Sequence, residues 1–117
     1  MHAIQEGEIY LTRFTPAYRS EIRKFRPAII LRSENSSANP NLITIIPITS
    51  VSKGKENNFE LKLKKKSFKA LNKDSYALCW YVRTVDKARL MTKIGKLDDK
   101  TFKNIQNKTL SYLKGES

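Results

Sequence analysis

Histidine and cysteine occur once each in this chain, as His2 and Cys79. A two-histidine acid–base pair is therefore impossible within one copy, and a single cysteine makes neither an intramolecular disulfide nor a cysteine-based zinc site. The carboxylates Glu6, Glu8, Asp86, Asp98 and Asp99 are scattered where helix caps and surface pairs account for them. A two-metal nuclease would need its acidic ligands clustered, and the expectation is no metal and no cofactor. No Ser/His/Asp arrangement, P-loop or dinucleotide fingerprint is present. Arginine, lysine, hydroxyls and backbone amides remain, and these are the groups that handle phosphate.

Three segments present such groups at places where the chain changes direction. Arg26 stands where a basic loop enters an apolar strand, with Pro27 stiffening the backbone behind it. An arginine so placed offers a planar fork to a phosphate or to a developing phosphorane; the plainer alternative is a surface arginine paired with Glu21. Thr49 and Ser50 put two hydroxyls at the exit of another apolar strand, where they either bond a phosphate or open a turn. Arg83 to Leu90 is a compact polar stretch in which Asp86 is expected to accept from neighbouring backbone amides. Between Lys53 and Lys73 lie eight lysines. With Phe59 and Phe68 interleaved they could follow a nucleic-acid backbone, although a lysine run is commonly a solvated face.

The elements that must position these groups fit into one domain, because 117 residues leave no room for a second core. Lys and Arg number 23 against 11 Asp and Glu, a net charge of +12, which on so small a body favours polyanions. The N-terminus has neither a basic n-region nor an apolar h-region, and no apolar run approaches the roughly 20 residues a membrane span needs. A cytoplasmic protein is expected.

Strands are expected at Ile9–Phe14, Ala28–Leu31 and Leu42–Thr49. Pro47, lacking an amide hydrogen, requires the last of these to end, bulge or lie at an edge. Phe59 to Lys64 alternates as a strand with one wet face does, with Phe59, Leu61 and Leu63 inward. Tyr76 to Val82 should be a central strand, Arg83 to Leu90 a bend through a short helical turn, and Lys93 to Leu97 a brief strand or connector. Asp98 is a fitting N-cap for a terminal helix with Phe102, Ile105, Leu110 and Leu113 along one stripe, ending near Gly115. Five or six strands and one helix make a mainly β (α+β) fold built on a small, curled antiparallel sheet.

In this order the segments resemble the MazF/PemK family of mRNA interferases. The matching pieces are Gly7-Glu8-Ile9-Tyr10, Ser20-Glu21, Arg26-Pro27-Ala28, Pro47-Ile48-Thr49-Ser50, Lys73-Asp74-Ser75, Arg83 to Leu90 and Lys93 to Leu97. The resemblance implies an SH3-like, CcdB-like barrel over residues 1–117, working as a homodimer on single-stranded RNA and silenced by a cognate acidic antitoxin. It implies metal-free, sequence-specific cleavage by the 2′-hydroxyl, leaving a 2′,3′-cyclic phosphate and a 5′-hydroxyl. Carried over by position, Arg26 and Thr49 are the catalytic pair. Ser20, Glu21, Ser50, Trp80, Tyr81 and Arg83 fall on the substrate side. Trp80 and Tyr81 stand where relatives tend to carry an acidic residue and glutamine. A ring there either stacks on RNA bases, worth about 1–3 kcal/mol per base, or fills the core or a dimer interface. Two other activities fit the same fold: a non-catalytic RNA-binding barrel and a CcdB-like gyrase poison.

Overall fold

The computed structural model describes residues 3–14, 25–33, 39–50 and 59–116. Ser20 and Glu21 lie outside these, as do Lys53 and Lys55. The elements run β1 (Glu8–Arg13), β2 (Phe25–Arg32), β3 (Leu42–Thr49), β4 (Glu60–Leu63), β5 (Ser75–Leu78), β6 (Arg83–Asp86), a 3₁₀ turn (Lys87–Arg89), β7 (Leu90–Lys96) and helix α1 (Asp99–Leu113). All strand pairs are antiparallel. The sheet has the order β4-β5-β3-β2-β1-β7, with β6 also on β3. This is the expected mainly β fold with a terminal helix. The path stays open, with β4 and β7 at its ends, so the sheet curls without closing into a barrel.

Among the described residues seven strands form where five or six were expected. Arg83–Asp86 is extended and only Lys87–Arg89 turns, because Val85 is buried and its backbone pairs with Ile43. Asp86 caps the turn as anticipated, accepting from the Ala88 amide at 2.8 Å. The Tyr76–Val82 strand is shorter than its apolar run suggests and ends at Leu78. β5 and β6 thus lie end to end along one edge of β3: Ile48 and Thr49 pair with β5, and Leu42 to Ile45 with β6. Pro47 falls in the gap between these two ladders, opposite Ala28 of β2. A residue without an amide hydrogen is accommodated there, and β3 continues through it to Thr49.

Because β1 to β3 are central, both of their faces are apolar. Ile9, Ile29, Leu31, Ile46 and Ile48 belong to one core, closed by Leu71 and by Ile105 of α1. Tyr10, Ala28, Ile30, Ile43 and Ile45 belong to the other, with Phe14, Leu78 and Val85. The helix starts at Asp98, whose carboxylate accepts from the Thr101 hydroxyl at 2.7 Å and the Thr101 amide at 3.0 Å. Those two bonds hold the Asp98 carboxyl below its ordinary value. Gly7, at φ 87°, passes beneath the helix: a Cβ there would lie 3.6 Å from the Phe102 ring. Of the expected apolar stripe, Phe102 and Ile105 face the sheet. Leu110 and Leu113 do not: they are 52% and 62% exposed on the rim of a groove shared with Leu31 and Val82.

Two acidic residues depart from the expected wet positions. Glu60, on the supposedly solvated side of β4, is buried because its carboxylate accepts from the Trp80 indole N–H at 2.9 Å. Glu8 is fully buried in an ion pair with Lys93 at 2.9 Å, and it also accepts from the Gln5 amide at 2.7 Å. Neither carboxylate is a surface pair.

Burial pushes the Cys79 thiol up to about 11, outweighing the Thr109 hydroxyl and the Lys108 charge, which pull it down. At about pH 8 the side chain is therefore almost entirely un-ionised, and the thiolate is the reactive form. Native protein should label far more slowly with a thiol reagent than urea-unfolded protein does. Equal rates would mean that Cys79 is accessible.

Candidate active site

The pairing of β2 with β3 fixes where Arg26 and Thr49 stand. Ala28 is opposite Pro47, Ile29 opposite Ile46 and Ile30 opposite Ile45. The same register carried outward sets Arg26 across from Thr49. Side chains alternate along a strand, so Arg26 shares a face with Ala28 and Ile30, and Thr49 shares one with Ile43 and Ile45. Both pairs of isoleucine and alanine positions belong to the same core. The two residues most capable of phosphate chemistry thus lie on one face of the sheet, at neighbouring strand ends.

The row extends further. Thr12 pairs with Arg26 on the β1 side, and Thr49 with Tyr76 on the β5 side. Thr12 is fully buried, its hydroxyl donating to the Tyr10 carbonyl at 3.0 Å. Thr49 is 3% exposed, whereas Arg26 is half-buried. No hydrogen bond or ion pair joins the Arg26 side chain to another described residue. The half-buried guanidinium has the two parallel donors that an anion-binding arginine uses.

Arg83 is opposite Ile45 and faces the same way. Its guanidinium lies 5.7 Å from the centre of the Phe14 ring, and Nη1 is buried with no hydrogen-bond partner among the described residues. Trp80 and Tyr81 pack against the same core, their rings 5.4 Å apart. The Trp80 indole is committed to Glu60, so Trp80 is anchored from beneath and only partly covered. Replacing it by Phe removes the N–H that meets the buried Glu60 carboxylate and should cost about 1–3 kcal/mol in urea unfolding. An unchanged midpoint would show that the bond is dispensable.

Ser50 is the exception among the described residues named from sequence. It is exposed and lies, with Ile48, along a cavity of about 430 Å³ that Arg26 also borders. One wall of that cavity comes from residues 70–73, of which the sequence singles out only Lys73, in the Lys73-Asp74-Ser75 match. No local pattern marks residues 70–72, since only the return of the chain onto the sheet brings them there. Among the described residues, no three His, Cys, Asp or Glu side chains form a group that could hold a metal ion. Among the same residues no helix is long and apolar enough to cross a membrane.

Residues 5–113 match the family model of PemK-like, MazF-like toxins of type II toxin–antitoxin systems. An endoribonuclease MazF of Staphylococcus saprophyticus is 29% identical over 104 residues, which is 89% of this chain and 86% of that protein. Among solved structures, MazF from Deinococcus radiodurans is similar with a TM-score of 0.75 at 21% identity, covering 97% of this chain and 99% of that one. The Mycobacterium tuberculosis toxin MazF-mt6 gives 0.72 at 20% identity, with 92% and 96% covered. The two structures share the fold, an open antiparallel sheet with a C-terminal helix. The matching family model, spanning nearly every residue, carries the classification: the chain belongs to the PemK/MazF toxin family.

Proposed function

We propose that this chain is an endoribonuclease toxin that cuts single-stranded RNA at the phosphate held by Arg26, using the RNA's own 2′-hydroxyl as nucleophile. One observation carries this reading: an arginine whose side chain bonds no other described residue and a threonine share one face at adjacent ends of β2 and β3. The 2′-hydroxyl gives up its proton to solvent as its oxygen bonds to phosphorus, the bond to the 5′-oxygen breaks and that oxygen takes up a proton, and the products are a 2′,3′-cyclic phosphate and a 5′-hydroxyl. Charge accumulates on the non-bridging oxygens of the pentacoordinate phosphorus. A preorganised cation at that point stabilises it more than it stabilises the ground state. Thr49, almost covered, orients the phosphate or the attacking hydroxyl from below. Arg83 adds a second positive charge to the same face.

The partners follow from the same chemistry. A +12 chain whose reactive face is cationic suits an acidic antitoxin that occupies the RNA's place. A solved relative at 20% identity is a MazE–MazF complex from Deinococcus radiodurans. A homodimer joined through a sheet face completes the proposal. The deciding experiment is to incubate purified protein with a long RNA in EDTA. Discrete fragments with 5′-hydroxyl and cyclic phosphate ends are expected. A featureless smear, or cleavage only with Mg²⁺, overturns the mechanism. Intact RNA that is merely bound, in a salt-sensitive way, would leave the non-catalytic barrel.

A further inference from the structure

We propose that the cavity of about 430 Å³ between residues 70–73 and the ends of β2 and β3 is a nucleobase subsite, receiving the base next to the phosphate on Arg26. The inference rests on the RNA-cleaving reading above and assigns Asn72 and Lys73 a part in choosing the sequence that is cut.

The shape and lining argue for a base. A volume of this size is in the range of small-molecule sites, about 300–1,000 Å³. Its apolar lining is Leu11, Pro27, Ile48 and Ile94 from the sheet, with Leu71 from the connector. Such walls suit a flat ring. Its polar lining is Ser50, Asn72 and Lys73, which are exposed, and Ser75, which is buried. The Asn72 carboxamide offers a donor and an acceptor together, the pattern that reads one edge of a base. The Ser75 hydroxyl already donates to the Lys73 carbonyl at 2.8 Å, so toward a ligand it presents acceptor lone pairs.

Position argues for the neighbouring nucleotide. Arg26 borders the cavity, yet Ile48 and Ser50 lie on the opposite face of β3 from Thr49, because side chains alternate. A phosphate on the Arg26–Thr49 face and a base in the cavity are therefore joined over a strand end, with the base turned away from its neighbours. Only an unstacked, single-stranded nucleotide adopts that arrangement without first breaking a duplex. Beyond the cavity, Lys64, Lys65, Lys66 and Lys69 are exposed on the connector whose fold is fixed by Asp74 accepting from the Lys65 amide at 2.9 Å. They extend the positive track for the adjoining phosphates.

The test is to map 5′ ends after cleavage of a random-sequence RNA library by the wild-type chain, Asn72→Ala and Ala70→Leu. Wild type should show a preferred base at a fixed position beside the cut. Asn72→Ala should reduce that preference about tenfold in kcat/KM between matched and mismatched oligonucleotides, which is the loss of one base-edge contact. Ala70→Leu, which narrows the cavity, should raise KM for the preferred oligonucleotide. If either variant melts early, Asn72→Asp replaces it and should shift the preference toward bases that offer a donor. Unchanged profiles in well-folded variants overturn the subsite while leaving the nuclease intact. Absence of cleavage by wild type would instead remove the functional reading on which the subsite stands.

Discussion

Arg26→Ala should leave labelled single-stranded RNA essentially uncut, with kcat/KM reduced by roughly 10²–10³-fold or more. Losing one preorganised donor to a developing oxyanion costs about that much elsewhere, and here the donor also carries full charge. The chain offers little to replace it. Thr49 is buried, and the Arg83 guanidinium is packed over Phe14. Arg26→Lys should recover only a fraction of the rate, because an ammonium cannot present two parallel donors to a phosphate. Folding should be almost unaffected, since the Arg26 side chain is half-buried and bonds no described residue. Single-turnover cleavage in EDTA, read beside a thermal melt, separates the two effects. Wild-type rates from Arg26→Ala would remove the chemistry from this site altogether.

The second large effect is on stability. Lys93→Met should destabilise the fold by about 3 kcal/mol, the lower end of the range for breaking a buried pair from one side. Glu8 is fully buried while the Lys93 side chain is 39% exposed, so removing the lysine strands the carboxylate, whereas removing Glu8 leaves a lysine that reaches water. Glu8→Gln should accordingly cost less, because the Gln5 amide keeps an acceptor. The double variant Glu8→Gln with Lys93→Met should recover part of the loss. Urea unfolding of all three chains measures the asymmetry. A Lys93→Met midpoint equal to wild type would show that the pair contributes nothing net.

The legible parts of this fold are those with local causes. Continuous apolar runs marked β2 and β3, and the Asp98 cap with Phe102 and Ile105 marked α1. The shared face of Arg26 and Thr49 follows from two strand ends that the sequence already presented as polar exits from apolar segments. What escaped depended on partners far along the chain. Glu60 follows the alternation of a wet position, and only Trp80, twenty residues on, explains its burial. Glu8 needs Lys93, distant along the chain and brought close by the pairing of β1 with β7. The Arg83–Asp86 strand was masked by its polar composition, because Val85 alone is buried there. Residues 70–72 carry no signal of their own, since they come to line a cavity only when the connector folds back over the sheet.

That fold-back has a consequence for how tightly sequence choice is tied to the edge of the sheet. A Cβ at Gly95 would come within 2.8 Å of the Ala70 methyl, closer than packed carbon atoms tolerate. Ala70 in turn carries the outer wall of the cavity beside Arg26. One added methyl group on β7 would lever that wall away from β3. A chain altered only at Gly95 should therefore become less fastidious about where it cuts before it becomes measurably less able to cut.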